Sequence, residues 1–158
     1  MKNTQPRDVD ARIRTLNATW VAMIVSVGVS ACAAWALVRQ TAPHGESAVE
    51  RAWSSLTHLP FGVPLAAAFV LALAVGLTLV RRAEQHVVPL PPTRRVIARY
   101  VTLRLIGLAV LEGGGLLVIV ASTMAAHGEW ALGAGATTIG AMWMAEPNRK
   151  HIERLLRP

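Results

Sequence analysis

Leu105 to Ala126 reads LIGLAVLEGGGLLVIVASTMAA. A helix rising about 1.5 Å per residue crosses the hydrocarbon of a bilayer in roughly 20 residues, so this run is long enough to span one. It holds a single charged side chain, Glu112, followed at once by Gly113, Gly114 and Gly115. No other acidic residue of the chain lies inside an apolar run.

Working outward, three more apolar stretches accompany it. The spacing predicts spans over about 16–38, 60–80, 100–126 and 130–146. The expected fold is therefore all-α, an integral membrane protein with four transmembrane helices in one antiparallel bundle and a single domain over residues 1–158. Trp20 and Trp35 fall near the ends of the first span, as do Trp130 and Trp143 in the last, where an aromatic belt would place them. Pro60 and Pro64 stand at the start of the second span, where a missing amide donor matters least. Val29-Ser30-Ala31-Cys32 fits the loose pattern of a bacterial lipobox. The chain stays apolar after Cys32 (AAWALV), where a lipoprotein carries a polar tether, so an uncleaved span is expected.

The loops are read from what separates the spans. Residues 39–59 are polar, and SAVERAWSSL within them has the spacing of a short helix on the membrane surface. His44, His58, Glu46 and Glu50 match no known ligand spacing, which favours a solvated loop over a metal site. Pro89, Pro91 and Pro92 break the second loop, with Thr93 a fitting N-cap for the next helix. Beyond Pro147 runs a short basic tail.

The chain is 53% hydrophobic with a formal net charge of +7. The charges are bunched between long uncharged runs, which marks a membrane protein more than the percentage does. The basic residues flank apolar spans and do not form a patch with interleaved aromatics, so nucleic acid is excluded as a partner. The expected partner is a bilayer with anionic headgroups at its cytoplasmic face, with a homo-oligomer or larger membrane complex also open. Of the 16 lysines and arginines, all but Arg39 and Arg51 fall in the N-terminal tail, the second loop with the start of span three, and the C-terminal tail. The positive-inside rule then puts both termini in the cytoplasm, which an even number of spans requires, and the protein in the cytoplasmic membrane.

Glu112 lies eight residues beyond Arg104, about 12 Å along a helix, in the cytoplasmic half of the hydrocarbon. Arg104 cannot pair with it on the same helix and is expected to snorkel toward the headgroups. Counting equal depths from the boundaries gives Met23–Ser26, Ala74–Thr78 and Ala141–Met144 as neighbours of Glu112. Ser26, Thr78 and the Trp143 indole are the candidate donors; Thr137 and Thr138 lie further out. An intramembrane carboxylate is costly when ionised and usually faces a bundle interior. Two readings follow: a proton or cation site, or a protonated Glu that links helices or subunits. Gly113, Gly114 and Gly115 would serve either by allowing close backbone approach.

No histidine lies within a span, and no Ser-His-Asp set, P-loop or dinucleotide fingerprint is present, so neither a cofactor nor an enzyme is expected. Four spans with one embedded Glu resemble the proteolipid subunits of rotary ATPases and the small multidrug transporters. The former carry the carboxylate in the last span and the latter in the first, whereas here it lies in the third. Arg104, Leu111-Glu112-Gly113 and Pro147-Asn148-Arg149 are similar to a group of small bacterial membrane proteins of uncharacterised activity. That resemblance covers roughly the second half of the chain and implies the same architecture. Two functions are expected to compete: a non-enzymatic accessory or structural membrane subunit, and a small proton-coupled transporter or ion-conducting oligomer using Glu112.

Overall fold

The computed structural model describes residues 6–41, 62–87, 94–125 and 127–146. The surface helix expected over SAVERAWSSL, the Thr93 cap, the His44/His58 loop and the tail after Pro147 lie outside those residues. The described chain is helical, in the order α1 (Pro6–Thr41), α2 (Gly62–Val87), α3 (Arg94–Met124) and α4 (Gly128–Met144). Three of these helices are long and apolar enough to cross a membrane, over Ile13–Gln40, Gly62–Gln85 and Ala98–Met124. The fourth has 17 residues, which the helical rise makes about 26 Å long, short of a hydrocarbon core about 30 Å thick.

The helices outrun the apolar segments at their polar ends. α1 begins at Pro6 and carries its charged first turns as helix; proline's fixed φ suits an N-terminal position. α2 continues past Val80 through Arg81, Arg82 and Glu84. Backbone hydrogen bonds persist as long as no proline intervenes, so hydropathy bounds a span but not its helix. Between α3 and α4, the His127 amide donates to the Ser122 carbonyl at 2.9 Å and the Trp130 amide to the His127 carbonyl at 3.2 Å. This closes the turn that His127-Gly128-Glu129 announces.

α3 is the central element and touches all three others; α2 packs almost wholly on α3, while α1 and α4 pack on each other and on α3. Small residues set the spacing. A methyl at Gly76 of α2 would lie 2.6 Å from Leu111 Cγ, and one at Gly107 would lie 2.9 Å from Val80 Cγ2. On α4, a methyl at Gly135 would lie 2.5 Å from the Ala31 Cβ of α1. Such close approach is what holds helices together where lipid competes for every apolar contact. The main core joins Val27, Ala31 and Ala34 to Leu108, Leu111 and Ile119 of α3 and to Ala131, Ala134 and Met142 of α4. A second cluster, Leu16, Ala83 and Tyr100, closes the end where α3 begins. Val21, Val25, Val29, Val63, Val70, Leu71, Leu117 and Val120 face outward, as lipid-facing residues do.

Candidate functional site

Polar residues stand at both ends of the helices and are sparser between them. At the end where α3 begins lies Arg104, only 1% exposed. Its Nη2 donates to Glu84 Oε1 at 2.6 Å and to the backbone carbonyl of Glu146 at 3.3 Å. The guanidinium carbon stands 5.4 Å from the centroid of the Tyr100 ring. One cation thus ties the C-terminal end of α2 and the residue just beyond α4 to the N-terminal part of α3. The expected snorkelling is corrected here: the side chain leans toward the start of its helix, but it points inward. The reason is Glu84. α2 and α3 form a hairpin, and Glu84 lies ten residues before Arg94 while Arg104 lies ten after it. Desolvating a guanidinium is costly unless a counter-charge sits within hydrogen-bond reach, and Glu84 supplies one.

Not every donor in this corner is matched. Arg104 Nε and Nη1 and Tyr100 Oη are buried and have no hydrogen-bond partner among the described residues. Thr138 Oγ1 and Trp130 Nε1 share that condition further along α4.

Glu112 occupies a different setting. It is half-buried, on the flank of α3 between its inward and outward faces, and no hydrogen bond or ion pair links it to another described residue. Its expected donors are placed as follows. Thr78 is exposed and its hydroxyl donates to the Ala74 carbonyl of its own helix at 2.6 Å. Trp143 is 63% exposed and packs at a tilt on Trp20, ring centroids 6.0 Å apart. Ser26 is half-buried on α1. Trp20 in turn donates from Nε1 to the Met142 carbonyl at 2.8 Å, satisfying part of the last turn of α4. The polar work at this depth is thus done by Trp20.

The three glycines after Glu112 divide. A methyl at Gly113 would meet nothing within 4 Å. One at Gly114 would lie 2.6 Å from Ala72 Cβ on α2, and one at Gly115 2.5 Å from Thr138 Oγ1 on α4. Successive residues on a helix turn by about 100°, so consecutive glycines face different neighbours. Cys32 is exposed on α1. Among the described residues, no three His, Cys, Asp or Glu side chains gather where a metal ion could be held. Compared with protein-family models, curated proteins and solved structures, the chain finds no match.

Proposed function

We propose that this is a four-span protein of the bacterial cytoplasmic membrane, an antiparallel bundle with both termini cytoplasmic, that serves as a non-enzymatic accessory or structural subunit. The observation that carries this reading is the use of Arg104. The one fully buried charge among the described residues joins three helix ends. The glycine contacts of α3 with α2 and α4 support the same role, since they favour a fixed assembly over a moving one. The shortness of α4 is accommodated by local thinning of the bilayer or by cover from another subunit. Reporter fusions at the two termini test the topology: a periplasmic signal from either end would remove it.

A second reading rests on Glu112. A carboxylate inside a span with no polar partner among the described residues is available to a proton, a cation or another copy. Purified protein in proteoliposomes separates the two. The accessory reading expects no proton or cation flux, and Glu112→Gln to unfold with the wild type. Flux that Glu112→Gln abolishes, with the fold intact by circular dichroism, would replace it with transport.

A further inference from the structure

We propose that two copies of this chain pair through the outward face of α3, joined around Gly113, with their two Glu112 carboxyls meeting across the join. The proposal rests on the membrane reading above, because a bilayer is what fixes both copies in one orientation.

The first ground is the shape of the face. α3 touches all three other helices, yet it keeps one bare side. From Thr102 onward its exposed residues fall on a single line, which runs through Ile106, Ala109, Gly113 and Leu117 to Met124. Thr102, Gly113 and Met124 stand eleven residues apart. That repeat, about 3.67 residues per turn, keeps a line of side chains almost straight along a helix. Two such lines can run side by side over the whole span. Ile106 and Leu117 stand out from the line on either side of its middle. Between them Ala109 and Gly113, four apart, cut a notch of the kind that lets span backbones touch.

The second ground is what each glycine of α3 meets. A methyl at Gly107, Gly114 or Gly115 would lie 2.9, 2.6 or 2.5 Å from an atom of a neighbouring helix. One at Gly113 would meet nothing within 4 Å. A glycine weakens a helix interior relative to alanine. The other three offset that by contact within the chain; Gly113 can offset it only against something outside.

The third ground names the occupant. Glu112 is turned about 100° from Gly113, on the rim of the same face, where flanking residues of a helix pair reach across. It is half-buried and has no partner among the described residues. Intramembrane carboxylates face protein or water and pair there. Two copies that share one topology are related by a two-fold axis along the membrane normal, so the same patch meets itself. α3 then runs parallel to its twin, and each residue meets its own depth. A carboxyl that carries its proton donates and accepts at once, so Glu112 is complementary to a second Glu112. Lipid tails offer it neither a donor nor an acceptor.

Full-length protein labelled at its N-terminus with donor or acceptor dye, reconstituted in phosphatidylcholine vesicles and diluted with lipid, tests the pairing by resonance energy transfer. Wild type should associate as a dimer. Gly113→Leu should weaken association about tenfold, as overpacking at a tight contact does. Its helicity should be unchanged, since the added side chain starts from a site that is open within its own chain. Glu112→Leu should weaken association about threefold, the worth of one hydrogen bond between spans. Glu112→Gln, whose carboxamide also donates and accepts, should keep it. Gly133→Leu, at an exposed position of α4 where a methyl likewise meets nothing, should leave it unchanged. Association lost with Gly133→Leu and kept with Gly113→Leu would move the interface to α4 and overturn the proposal. A wild type monomeric at every dilution, its α3 face covered by lipid, would overturn it too while leaving the membrane reading in place. Recovery of the chain in the soluble fraction of cells would remove that reading and the proposal with it.

Discussion

The end of the molecule around Arg104 and the middle around Glu112 hold one embedded charge each, and the protein treats them oppositely. Arg104 is 1% exposed and reaches two other helices. Glu112 is half-buried and reaches none among the described residues. The difference follows from what surrounds them. At the end, polar backbone and a carboxylate lie within reach of a long flexible cation. In the middle, glycine and alanine bring helix backbones so close that little room remains for polar side chains between them. Where helices are joined by charge they can stand apart; where they are joined by glycine they must touch.

The largest expected effect comes from breaking the charged end. Glu84→Ala should cost about 3 kcal/mol, because it leaves a buried guanidinium without its counter-charge. Arg104→Leu should cost less, since the Glu84 side chain is 35% exposed and can turn to water. Denaturant titration in mixed micelles of both single variants and the double checks this order. A larger loss for Arg104→Leu would mean that the bond to the Glu146 carbonyl and the contact with Tyr100 outweigh the pair with Glu84. Next comes the glycine layer. Gly115→Val should cost about 2 kcal/mol by overpacking against Thr138, and wedge α3 from α4.

Smaller and sharper is the pair beside it. Gly114→Ala should destabilise by about 1 kcal/mol through its clash with Ala72, while Gly113→Ala, facing open space, should stabilise by up to about 1 kcal/mol through helix propensity. Opposite signs at adjacent positions, read as shifts in thermal midpoint, would confirm which way each glycine faces. The same sign at both would undo the register of α3 against α2. Smallest of all, Glu112→Gln should shift stability by less than about 0.5 kcal/mol, as expected for a side chain with no partner to lose among the described residues.

Much of the architecture was legible. Long apolar runs give long helices because nothing else satisfies a backbone in such sequence, and the turn at His127 follows from two polar residues and a glycine between apolar runs. The end of α2 was not legible, since the polar helical turns over Arg81–Val87 look like loop to a hydropathy argument, whereas a helix starting over residues 10–15 and running on into the first span was open from the sequence. The embedded Glu was visible at once because it breaks a pattern. Arg104 was visible as well, but its role was not. An Arg near a span boundary has two solutions, outward to headgroups or inward to a carboxylate. Only the pairing of α2 with α3 decides between them. Trp20 was visible as a belt residue and hidden as a donor to Met142, because that bond spans 122 positions of sequence.

The turn between α3 and α4 has a consequence for how the chain enters a bilayer. Residues 125–127 alone separate Met124 from Gly128, and three extended residues reach only about 10 Å. On the proposed topology this turn lies on the outer face, with Glu129 beside it. No slack allows α3 to cross first while α4 waits on the side from which it was synthesised. The two must insert together as a helical hairpin, in which the favourable transfer of the longer, more apolar α3 carries Glu129 and the short α4 through. Truncating the chain after Glu129 should therefore leave α3 inserted in a glycosylation-mapping assay, whereas α4 without α3 before it should fail to cross.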